Sequence, residues 1–226
     1  MDNIKYCTLD KYVSSLKNEK IKGIEKLYKI LEIMRKICLV LEDIHQYGYY
    51  CLELSPRDIL CTNSEIKLLD KEILMAKRQL YKPIQKNLKC RDYIAPEILT
   101  YEGFCTDGGV IDGKKADVFL AGMLLYWCVT SKTIEIFKTR YIFNGCTVCF
   151  DRVLEDEQVD KFLVCHCYLQ DLEQQFDRDY DVRNNEVLGI FAKIFTKAIC
   201  RNVDRRYTNM TELTVDLEQV QKILLK

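Results

Sequence analysis

The run Val118-Phe119-Leu120-Ala121-Gly122-Met123-Leu124-Leu125-Tyr126-Trp127-Cys128-Val129-Thr130 carries no charge and is apolar on every face that a helix would present. A helix that is hydrophobic all round must be covered all round. At about thirteen residues the run falls short of the ~20 needed to cross a bilayer, so no membrane role is expected. The expectation is a buried core helix from Asp117 to about Val129.

With 226 residues, the chain has the length of one domain and enough material for a substantial single core. Hydrophobic residues make up 48% and charged residues 30%, and only nine Gly and three Pro leave little room for long disordered tracts. The formal net charge is zero, so the chain as a whole has no electrostatic signature of nucleic-acid binding. The start, Met1-Asp2-Asn3-Ile4-Lys5, lacks the apolar stretch and cleavage site of a secretory signal. The twelve Cys are therefore read as free thiols in a reducing cytoplasm, most of them packing as small hydrophobes.

Periodicity sets out the other elements. A short helix is predicted over Thr8 to Leu16 with Thr8 as N-cap. A longer helix is predicted from about Ile24 to Gln46, where Leu27, Ile30, Leu31, Met34, Ile37, Cys38, Leu41 and Ile44 recur at helical spacing and Gly48 supplies the stop. Leu52 to Ser55 and Ile66 to Leu69 read as strands around a turn at Thr62-Asn63-Ser64. Lys71 to Ile94 has no clean period and reads as an extended, mostly irregular segment. A short helix at Glu97 to Thr100 and a loop at Gly103 to Gly113 precede the central helix. Ser131 to Arg183 mixes strand and helix signals. Two helices, roughly Glu186 to Arg201 and Met210 to Leu225, close the chain. The order is mainly α-helical with a few short strands.

Several short motifs then fall in a telling order. Cys51-Leu52-Glu53-Leu54-Ser55-Pro56-Arg57-Asp58-Ile59-Leu60 is followed by Asp70-Lys71-Glu72 and by Tyr93-Ile94-Ala95-Pro96-Glu97. Asp117-Val118-Phe119-Leu120-Ala121-Gly122 and Asp204-Arg205-Arg206-Tyr207-Thr208 come after them. Together these resemble the catalytic loop H-R-D-L-x-x-x-N, the D-F-G and A-P-E motifs, the central buried helix and the Arg-bearing turn of the protein kinase superfamily. The resemblance runs from an inter-lobe hinge near Tyr6-Cys7 to the end of the chain. It implies a kinase-like C-lobe over residues 1–226, mainly α with small β-hairpins, the N-lobe absent, and an elaborated Cys-rich insertion at 131–185.

The structural positions of the family are kept. By analogy Glu97 pairs with Arg206 in a largely buried bidentate ion pair. Asp117 accepts backbone N–H bonds from the loop near Cys51 and Leu52, the alternative being a simple helix N-cap. His45, at a helix end where kinases often carry a histidine, is given a structural role. The chemical positions are changed. Glu53 stands where the family has its base Asp, and a carboxylate displaced by about an ångström can lose ~100-fold in rate. Cys51 and Leu52 replace His and Arg, and Ser55 replaces a Lys. Asp70 keeps the acid of D-F-G but is followed by Lys71 and Glu72. Asp58 replaces the metal-binding Asn, which leaves Asp58 and Asp70 as candidate Mg²⁺ ligands beside the degenerate base Glu53. The bland alternative is three hydrogen-bonded acids in a relic loop.

Residues 71 to 94 contain no Ser or Thr and set seven basic residues against two acidic ones. Lys77, Arg78, Lys82, Lys86, Lys89 and Arg91 form either a solvated loop or a docking strip for an acidic or phosphorylated partner. Cys146-x-x-Cys149 with Cys165-His166-Cys167 has a spacing compatible with zinc, weighed against packed thiols, which the apolar neighbours favour.

The resemblance implies a catalytically impaired, pseudokinase-type interaction or regulatory module in the cytoplasm, with no cofactor. The alternative is a split or divergent kinase using Glu53, Asp58 and Asp70 with ATP and Mg²⁺, its N-lobe supplied in trans. A face left by the absent N-lobe, near Tyr49, Tyr50, Leu54 and Ile73, would take a protein partner or a second copy of the chain.

Overall fold

A computed structural model describes residues 6–18, 23–62, 65–69, 75–76, 93–99, 111–131, 140–143, 146–149, 182–200 and 202–225. Within them the order is β1 (Cys7–Thr8), α1 (Leu9–Asn18), α2 (Gly23–Gln46), β2 (Tyr49–Tyr50), β3 (Ile59–Cys61), β4 (Ile66–Leu68) and β5 (Met75–Ala76). It continues with α3 (Pro96–Leu99), α4 (Gly113–Thr130), β6 (Arg140–Phe143), β7 (Cys146–Cys149), α5 (Val182–Ala198), a 3₁₀ turn at Val203–Arg205 and α6 (Met210–Leu224). The described residues are mainly helical, and no helix among them is long and apolar enough to cross a membrane.

Helix α4 is the centre. Of its residues only Lys114, Lys115 and Trp127 escape full burial. It begins a turn earlier than the apolar run suggests, because Asp112 caps it by accepting from the N–H groups of Lys114 at 3.1 Å and Lys115 at 3.2 Å. It ends at Ser131, whose left-handed backbone (φ 57°) lets its N–H reach the Trp127 carbonyl at 2.7 Å.

Helix α2 covers one side of α4 and lies along α6. Its apolar stripe, Leu27, Ile30, Leu31, Met34, Ile37, Cys38 and Leu41, is fully buried, and Gly48 at φ 75° turns the chain out of it. Polar contacts hold the register of α2 against α6. Arg35 donates to Gln221 at 2.9 Å and also to Glu218, and Glu42 accepts from the Met210 N–H at 3.1 Å. Helix α5 closes another side of α4 and packs on α6.

The β-structure is sparse. An antiparallel sheet runs β1-β3-β4, with Cys7 opposite Cys61 and Ile59 opposite Leu68, while β2 pairs β5 and β6 pairs β7. The β3–β4 connection is drawn in by Thr62, whose N–H bonds the Glu65 carbonyl and whose hydroxyl accepts from the Glu65 N–H, both at 2.9 Å.

Three expectations need correction. Leu52 to Ser55 is not a strand: the Leu52 and Ser55 N–H groups are taken by carboxylates, and the strand facing Ile66–Leu68 is Ile59–Cys61. Within the segment read as extended and mostly irregular, the pairing of Met75–Ala76 with Tyr49–Tyr50 is compatible with that reading. Thr8 precedes α1, but its hydroxyl donates to Asp10 rather than accepting from the helix. Finally, α5 starts at Val182, earlier than Glu186.

Two helical glycines separate packing from propensity. A Cβ on Gly122 would sit 2.7 Å from Ile199 Cγ2 and 2.9 Å from Ala198 Cβ, whereas one on Gly189 would meet open space. Overpacking costs about 1–3 kcal/mol, more than the ~1 kcal/mol that Ala gains over Gly in a helix. In urea titrations Gly122→Ala should lower the unfolding midpoint and Gly189→Ala should raise it.

Candidate functional site

The segment Cys51–Asp58 leaves β2 and enters β3, and its shape is set by two carboxylates. The first is Asp117. Because Asp112 caps α4, Asp117 lies a full turn inside that helix and is not its N-cap. Its side chain is fully buried and accepts three bonds: from the Cys51 N–H at 2.9 Å, the Leu52 N–H at 2.6 Å, and His45 Nε2 at 2.8 Å. An acceptor-only carboxylate puts the ring proton on Nε2. Loss of hydration at the buried acid is thereby offset by well-directed donors.

Those bonds hold a strained turn. Leu52 has φ 55°, a region a branched side chain rarely enters, and the Glu53 N–H folds back to the Cys51 carbonyl at 2.5 Å. Such a conformation costs on the order of 1–3 kcal/mol and persists only where its surroundings over-determine it. Tyr50 adds to the brace, its ring 5.4 Å from that of His45 and pressed on the start of α4, where a Cβ on Gly113 would come within 2.4 Å of it. Burial, followed by Asp117, pushes the Cys51 thiol well up. Burial, then Asp112 and Asp117, raises the Tyr50 hydroxyl. Neither group is set up as a nucleophile.

The second carboxylate is Asp58. One of its oxygens, Oδ2, accepts from the Ser55 N–H at 2.9 Å and from the Ser55 hydroxyl at 2.5 Å. Its own N–H returns to the Ser55 carbonyl at 3.0 Å, and its carbonyl receives the Leu69 N–H at 2.8 Å. Arg57 points outward and lies 3.7 Å from Asp10, an exposed pair of small energetic consequence. Glu53 is half-buried on the same segment.

On the far side of α4, Arg206 ties four pieces of chain together. Its guanidinium is bidentate to Glu97 at 2.6 and 2.8 Å. It also donates to the Cys200 carbonyl at 2.5 Å and to the Lys115 carbonyl at 3.1 Å, and it lies over the Phe119 ring at 4.9 Å. The Arg206 side chain is fully buried and Glu97 is about one-fifth exposed, at 21%. Thus α3, the start of α4 and the end of α5 are fastened to the 3₁₀ turn by one side chain.

Of the remaining candidates, Asp70, Ile73, Lys77, Arg78, Lys82, Lys86, Lys89, Arg91, Cys165, His166 and Cys167 lie outside the described residues. Cys146 and Cys149 fall at the two ends of β7, their side chains likewise outside the description. Among the described residues no three His, Cys, Asp or Glu side chains come together as metal ligands. The expected apolar roof needs correction at two of its described residues: Tyr50 is 7% exposed and Leu54 fully buried, while Tyr49 is 44% exposed. Packing against His45 and the start of α4 removes Tyr50 from that face. The partners of His45 and the Ser55–Asp58 bonds carried no readable sequence signal, since each depends on how a helix and a loop meet in space.

No protein family model matches the chain. Over 113 residues it is 32% identical to myosin light chain kinase family member 4 of Homo sapiens, a match covering 44% of this chain and 28% of that protein. The chain therefore spans less than a third of that relative's length, and part of it is similar to a member of a kinase family.

Two substitutions test the braces. Asp117→Ala strands three buried donors at about 1–3 kcal/mol each, so it should lower stability by at least ~3 kcal/mol, with Asp117→Asn intermediate because one acceptor oxygen remains. Arg206→Ala should cost about 3–5 kcal/mol, and Arg206→Lys should not restore it, since an ammonium cannot reproduce the planar fork. Chemical denaturation of each variant measures both.

Proposed function

We propose that the chain is a kinase-like C-lobe module that works by binding a protein rather than by transferring a phosphoryl group. The observation that carries this reading is the use made of Asp58. The acid at the position where the resemblance expects a metal ligand spends one oxygen on two bonds from Ser55 within its own loop. Phosphoryl transfer is positioning plus electrostatic stabilisation, and it needs free carboxylates aimed at a cation between phosphates. One oxygen of Asp58 is thereby committed within its own loop, which supports the reading without phosphoryl transfer. Glu53, with its extra methylene at the position of the base, points the same way. The kinase-family likeness of part of the chain, together with the Asp117 and Arg206 braces, supports the kinase-like frame. The partner is a protein, a second copy of the chain included, and the basic strip from Lys77 to Arg91 suits an acidic surface on it.

One observation favours a second reading, a split or divergent kinase using Glu53, Asp58 and Asp70 with ATP and Mg²⁺. The strained turn at Leu52 is held at full expense, and strain of this kind clusters at working sites.

A thermal-shift titration separates the two readings. The purified chain should show no magnesium-dependent stabilisation by ATP. Stabilisation by several degrees that requires Mg²⁺ and disappears in Asp70→Ala would overturn the binding-module reading in favour of the enzymatic one.

A further inference from the structure

We propose that Cys7 and Cys61 form a thiol pair that closes to a disulfide under oxidising conditions and locks β1 onto β3. The pairing register makes them direct partners across the antiparallel ladder. Directly opposed residues lie about 4.5 or 5.5 Å apart at Cα, depending on the type of pair. Both spacings fall within the ~4.4–6.8 Å that disulfides span. Opposed side chains share one face of the sheet, and each thiol leans over the other strand. Cys7 Sγ lies 3.7 Å from the Cys61 carbonyl oxygen, and Cys61 Sγ lies 3.5 Å from that of Cys7. Both thiols are free in this structure.

Accessibility fixes the order of events. Cys61 is fully buried, and burial, Cys7 and Asp10 push its thiol up to about 12. Cys7 is only half-buried, so it meets the oxidant first. With a small disulfide such as oxidised glutathione, the Cys7 thiolate attacks one sulfur, forms a mixed disulfide and expels one glutathione thiolate, which takes up the proton lost by Cys7. The Cys61 thiolate then attacks Cys7 Sγ and expels the second glutathione, which takes the Cys61 proton. Two protein thiols are oxidised and one glutathione disulfide is reduced to two thiols. Enforced proximity compensates for the small thiolate fraction at Cys61.

The bond would join the entry to α1 to the strand that begins immediately after Asp58. It would thereby fasten the exit of the braced loop to the sheet edge. Closing the chain between positions 7 and 61 also removes freedom from the unfolded state. The proposal stands independently of the function proposed above.

The test is native protein incubated with excess oxidised glutathione, quenched in acid, digested with trypsin and mapped by mass spectrometry. The peptides of residues 6–11 and 58–67 should appear joined, two hydrogens lighter than their reduced sum, and dithiothreitol should separate them. The joined product should be missing in Cys7→Ser, and the oxidised wild type should melt higher than that variant treated alike. Three results would each overturn the proposal. One is Cys7 carrying a stable glutathione while Cys61 stays reduced. Another is Cys61 joined to Cys128, whose thiol lies next in the core. The last is both thiols unmodified at saturating oxidant.

Discussion

The buried carboxylate of Asp117 is the contact on which this structure turns. A carboxyl group buried within a largely apolar helix is tolerable only if hydrogen bonds replace its lost hydration. Three N–H donors supply them, one from the end of α2 and two from the loop after β2. The same three bonds tie the end of α2 to the loop and sustain the left-handed turn at Leu52. None of this would be possible if Asp117 capped α4. The extra turn led by Asp112 frees it to face the loop.

Arg206 is the complementary anchor. One side chain fills the carbonyls at the start of α4 and the end of α5 and grips Glu97 in two places, so the short helix α3 has a fixed seat. Asp117 belongs to the central helix and Arg206 docks on the start of it, so separate segments are held against α4. Residues that resemble a kinase's structural positions thus have filled, geometrically sound contacts. The acid at a chemical position, Asp58, has turned inward to its own loop. The contrast between the filled contacts of Asp117 and Arg206 and an acid bonded within its own loop is the physical basis for the proposed binding role.

Much of the frame is legible in the sequence because it depends on local periodicity. The stripe of α2, the stop at Gly48 and the all-round burial of α4 each follow from residues a few positions apart. The first turn of α4 was less legible, since Gly113, Lys114 and Lys115 are polar or small and only the cap at Asp112 draws them in. The strand expected at Leu52 to Ser55 failed for a different reason. Its apolar residues do face the core, but carboxylates 3 to 65 positions away in the chain take the backbone donors that a ladder would need. The burial of Tyr50 and Leu54, and the opposition of Cys7 to Cys61, likewise depend on which elements meet, which no window of sequence contains.

The most direct measurement is native-state hydrogen exchange at the amides of Cys51 and Leu52. These sit in a loop, where amides ordinarily exchange at the low-stability end of a protein's range. If Asp117 holds them as described, both should be protected to nearly the level of the α4 interior and open only with it. Rapid exchange at Cys51 and Leu52 while α4 stays protected would contradict the account, because the loop would then open without disturbing the helix said to hold it.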